Sequence, residues 1–62
     1  MCDINVYLMK SDREELVLEN VDQVTTEGKA IRLLNIFGEE RTFSGKMIYY
    51  NNSEKKMIFE AA

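Results

Sequence analysis

Clusters that favour turns cut this chain at short intervals, and that spacing constrains the fold more than any other feature. "KSDRE" at Lys10 to Glu14, "TEGKA" around Gly28, "FGEE" around Gly38 and "NNSEK" at Asn51 to Lys55 each combine glycine or Asn/Asp/Ser with charged neighbours. Such residues supply positive φ or local hydrogen bonds from side chain to backbone. Between them lie "INVYLM", "LVL", "AIRLLNI", "TFSGKMIYY" and "KMIFEA", rich in β-branched, aromatic and long apolar residues. The pattern predicts one all-β domain over residues 1–62, a small β-barrel of six or seven short strands. A competing reading takes "SDRE" as a capping box, Ser11 facing Glu14, ahead of a helix carrying Val17, Leu18, Val21 and Val24. The flanking strands and the short polar turn favour the hairpin.

A chain of 62 residues has little surface to bury, only about 60% of what its unfolded form exposes. Its single cysteine excludes an internal disulfide, so the remaining staples are a metal or a second subunit. No run reaches the ~18 apolar residues of a membrane span, and no leader of signal-peptide type opens the chain. The expected location is the cytoplasm. Eight Lys and Arg against eleven Asp and Glu give a net charge of −3, which disfavours nonspecific binding to nucleic acid. Histidine is absent, which removes imidazole as base, metal ligand and near-neutral switch. The chain is not expected to be an enzyme.

The lone cysteine is Cys2, beside the N-terminus. In an extended first strand it shares parity with Ile4, Val6 and Leu8, the side expected to face the core, where a free cysteine serves as a small hydrophobe. Against that stands its chemistry at a chain end. The Cys2 thiolate with the backbone nitrogens of Cys2 and Asp3 forms five-membered chelates, and soft sulfur with nitrogen in a square plane suits Ni(II) or Cu(II). One chain offers too few sulfurs for a closed zinc site; two chains meeting at their N-termini would bring two thiolates to one metal. Chemistry alone favours the inert cysteine. A catalytic thiol is disfavoured, because the nearest lysine in sequence, Lys10, lies a strand away and no base is present.

Other candidates are weaker. Lys29, Arg41, Lys46, Lys55 and Lys56, with Phe43, Tyr49, Tyr50 and Phe59 as stacking partners, would make a strip for single-stranded RNA; composition favours lysines that solvate strand edges. In "NIFGEE", Gly38 is expected to take a conformation that resists a Cβ, and Phe37 to fold back onto the core. Glu39 and Glu40 are expected to be solvated. Met9, Met47 and Met57 read as core filling.

Taken together, "MCDINVYLMK", "EELVLENVDQV", "IRLLNIFGEERTFSGKM" and "KKMIFE" resemble the CooT family, small nickel-binding accessory proteins associated with maturation of nickel-dependent carbon monoxide dehydrogenase. The most specific parts are Met-Cys before "NVYL", the "LVLENV" segment, and Leu33 to Glu39. The resemblance implies a compact β protein able to form a homodimer. It would hold Ni(II) through Cys2 and release it to a client enzyme, and the chelate chemistry above adds the backbone nitrogen of Asp3 as co-ligand. Members have also been labelled RNA-binding, which keeps the lysine and aromatic strip as the alternative. Hydrogenase-maturation chaperones of the HypC type also begin Met-Cys, but this chain lacks the proline expected soon after.

Overall fold

The computed structural model describes residues 3–62; the Cys2 assignment therefore lies outside the described residues. Five strands follow in chain order: β1 (Ile4–Lys10), β2 (Arg13–Glu27), β3 (Ala30–Asn35), β4 (Glu40–Asn51) and β5 (Lys56–Ala61). Each is hydrogen-bonded to the next, and β1 returns to β5, so the sheet closes on itself. Four pairings are antiparallel; the closing one, Asn5 with Lys56 through Met9 with Glu60, is parallel.

The expected all-β domain is present, but with five strands rather than six or seven. The count falls because β2 and β4 continue through bends, each serving two neighbours. Residues Arg13 to Val21 of β2 pair with β1, and Val21 to Glu27 pair with β3. The bend falls at Asn20, whose φ of 55° is left-handed, and at the register shift between Val21 and Gln23. In β4 the partner changes from β3 to β5 at Ser44 and Gly45. Gly45 is required there, since a Cβ would run into the backbone carbonyl of Glu60. A second register shift between Met47 and Tyr49 adds twist near the end of β4.

The turns form where their residues predict. Ser11 and Asp12, at φ 48° and 67°, join Lys10 to its partner Arg13. Two consecutive positive φ values give the primed turn whose twist suits a two-residue hairpin, so "SDRE" closes a hairpin rather than capping a helix. Between Glu27 and Ala30 the two-residue turn Gly28-Lys29 uses one positive φ, 59° at Gly28, the position where such a turn favours glycine.

Period-two alternation then fills the interior. Ile4, Val6 and Leu8 from β1, Ile31 and Leu33 from β3, Leu18 and Val21 from β2, and Phe59 from β5 form the buried cluster, while Ile58, next to Phe59 and so on the other face of β5, is also buried. Phe43 packs edge-to-face on Phe59, ring centroids 5.3 Å apart. The parity assigned to β1 holds for Ile4, Val6 and Leu8. Among the described residues no helix is long and apolar enough to cross a membrane.

Candidate functional site

The chain end that carries the proposed ligands leads directly into β1. Asp3 is an exposed turn residue just before Ile4. Its carboxylate lies 3.8 Å from the Lys55 ammonium, and the Asn5 amide donates to the Lys55 carbonyl at 2.8 Å. The turn before β5 thus packs beside the start of β1. No group of three or more Cys, Asp or Glu side chains arranged for a metal exists among the described residues.

Ile4 also opens an apolar groove. With Val21, Val24, Met47, Tyr50 and Met57 it lines a depression of about 360 Å³ edged by Asp22. Val24, Met47 and Tyr50 are exposed, so this face is open to a partner. Core filling holds for Met57, which packs against the buried cluster, and Met9 is half-buried. Met47 is corrected: although it pairs with buried Phe59, it is 54% exposed, because it lies in the open groove along the exposed stretch Lys46 to Tyr50 of β4.

The basic and aromatic residues do not converge on one strip. Phe59 is buried and Phe43 is packed against it, leaving Tyr49 and Tyr50 as the exposed rings of the four. The Tyr49 hydroxyl donates to Glu54 at 2.6 Å. Lys56 bonds Glu14 at 3.0 Å and lies over the Tyr7 ring at 5.1 Å; the hydrogen bond to Glu14 raises its pKa above the ordinary lysine value. Lys29 and Lys46 share a shallow cleft with Glu60, while Arg41 donates to the Glu40 carbonyl at 2.8 Å. Cations in separate places, several beside carboxylates, make a weaker phosphate track than a continuous row.

The loop between β3 and β4 departs most from expectation. Gly38 takes φ 83° as anticipated. Phe37 does not fold onto the core; it is 68% exposed, and Ile36 beside it is 50% exposed. The reason is Asn35, a buried polar residue that sequence reasoning passed over. Its Oδ1 accepts from the Phe37 and Glu39 amides at 3.0 and 2.8 Å. Its Nδ2 donates to the Glu19 carbonyl at 3.2 Å and to Glu39 Oε1 at 2.7 Å. The loop's polar centre thus faces inward, which turns its apolar tip outward. Glu39, expected to be merely solvated, is a structural partner. An Asn just before "IFG" at a strand end was the available signal.

Fold and geometry define a small all-β domain whose five strands close into one ring. The chain belongs to the CooT family, described as CO dehydrogenase accessory protein CooT, whose model matches residues 1–60. A crystal structure assigned to CooT of Carboxydothermus hydrogenoformans is similar to it, with TM-score 0.89 and 26% identity over 98% of each chain. A search of curated proteins found no match.

Proposed function

We propose that the protein carries Ni(II) as cargo for a nickel-dependent carbon monoxide dehydrogenase in the cytoplasm and catalyses no reaction itself. One observation carries this reading: the family match begins at residue 1 and includes Cys2, the chain's only cysteine, in a sequence without histidine. Soft-metal cargo then has a single thiolate to bind, with backbone nitrogens of Cys2 and Asp3 completing chelates. A labile, open site suits a carrier that must surrender its metal. A homodimer extends the reading. The apolar groove begins at Ile4, two residues after Cys2, so a second copy seated there would bring the two chain ends together and add the burial a small core lacks.

A Ni(II) titration followed by thiolate-to-metal charge-transfer absorption tests the site. Wild type is expected to bind with that absorption and Cys2→Ala to lose it. Asp3→Asn keeps the backbone nitrogen and is expected to bind like wild type, whereas Asp3→Pro removes the amide proton and weakens binding. Equal titrations of wild type and Cys2→Ala would sink the nickel reading. In sedimentation velocity with and without nickel, Met47→Glu with Tyr50→Glu is expected to leave monomers; a wild-type monomer in both conditions removes the dimer.

A further inference from the structure

The loop between β3 and β4 has a geometry that its polar neighbours do not require. Loop tips are ordinarily polar because they face water. Here two adjacent large apolar side chains, Ile36 and Phe37, stand exposed at the tip. Leu16 on β2, also half exposed, lies with Phe37 along a shallow recess below them. The frame beneath is fixed. Besides the four bonds made by the Asn35 side chain, the Asn35 amide donates to the Glu39 carbonyl at 3.0 Å. The Gly38 amide donates to the Asn35 carbonyl at 3.2 Å, and the Ile36 amide to the Asn20 carbonyl at 3.1 Å. An anchor held by so many bonds loses little conformational freedom on binding, which raises affinity for a given contact. A large ring inserted into a partner's pocket is also the usual form of an energetic hot spot.

Charge indicates what receives it. Glu19, Glu39 and Arg41 border the recess below Phe37; Arg41 keeps its charge while donating to the Glu40 carbonyl, so two carboxylates against one guanidinium leave the rim net negative. The net negative charge of this rim disfavours an anionic bilayer. It favours an apolar pocket ringed by lysine or arginine.

We propose that Ile36 and Phe37 form the docking anchor for the client enzyme, inserting into a basic-rimmed apolar pocket on carbon monoxide dehydrogenase. This rests on the family's accessory role and not on the nickel ligand. The loop is tied to the chain end that would carry cargo: the Asn20 carbonyl accepts from the Ile36 amide, and the Asn20 amide donates to Asn5 Oδ1 at 3.4 Å.

The test is biolayer interferometry of the full chain against purified, nickel-free carbon monoxide dehydrogenase from the same source. Wild type and Cys2→Ala are expected to bind alike, and Phe37→Leu to stay within about threefold. Phe37→Ser is expected to bind at least about tenfold more weakly, with unchanged circular dichroism. Added salt is expected to weaken wild-type binding. Absence of wild-type binding, or equal binding by Phe37→Ser, overturns the proposal. So does loss of self-association in Phe37→Ser by sedimentation, which would seat the tip in another copy. Phe37-dependent binding to phosphatidylcholine and phosphatidylglycerol vesicles without enzyme binding overturns it in favour of a lipid surface. The separate nickel titration of Cys2→Ala distinguishes failure of docking from failure of the cargo reading.

Discussion

Phenylalanine serves opposite ends in two regions of this molecule. On β5, Phe59 is 2% exposed and meets Phe43 edge-to-face in the interior. At the β3 to β4 loop, Phe37 is 68% exposed above a buried asparagine. Identical side chains thus differ because one follows strand alternation and the other follows a polar frame that occupies the interior in its place. The comparison separates residues that hold the fold from residues the fold displays.

The largest test breaks the symmetry of the two rings directly. Phe59→Ala removes a buried ring from a small core and is expected to cost about 3–5 kcal/mol, a large share of the roughly 5–15 kcal/mol available to a native domain. Phe37→Ser is expected to stay within about 0.5 kcal/mol. Urea unfolding of both reads the difference. Similar losses would mean that Phe37 packs in solution, and the contrast would collapse.

A smaller effect is expected at the frame. Asn35→Ala empties a buried site that serves four side-chain hydrogen bonds. It leaves the Phe37 and Glu39 amides without their shared acceptor. Leaving buried polar groups unpaired costs about 1–3 kcal/mol, so the denaturation midpoint should fall less than in Phe59→Ala and more than in Phe37→Ser. Hydrogen exchange at the Phe37 and Glu39 amides is expected to quicken ahead of the β1 amides. An unchanged exchange pattern would show that the backbone bonds of the loop suffice without the side chain.

Much of the fold was legible because strand parity and turn chemistry are local signals. Ile4, Val6 and Leu8 alternate as an inner face should, and Ser11, Asp12, Gly28 and Gly38 adopt the positive φ their residue types permit. The strand count was not legible, because a bend at Asn20 and a change of partner at Gly45 depend on which neighbours the closed sheet supplies. Phe37 was misread for a related reason. An apolar residue in a loop favours the core when considered alone, and only the contacts of Asn35 with Glu39 in the same loop and with Glu19 on β2 reverse that preference. The family was legible from residue order; the proposed Cys2 chelate lies outside the described residues.

The weakest expected effect lies on the outer face of the same strand that buries Phe59. Lys56 reaches across Tyr7 of β1 to Glu14 of β2, linking three strands from outside. The hydrogen bond to Glu14 raises its folded pKa above 10.5. The folded chain therefore holds that proton more tightly than the unfolded chain does. The linked stabilisation is fully present below the ordinary lysine pKa and is lost as pH rises through the raised folded value. Because the pair is solvent-exposed, its contribution is expected to be the smallest of the series. Comparing urea midpoints of wild type and Lys56→Gln at about pH 8 and about pH 11.5 should show a small gap that closes at the higher pH. A gap that persists there would mean that the lysine stem packing on Tyr7, rather than its charge, holds β5 to β2 across the outside of the ring.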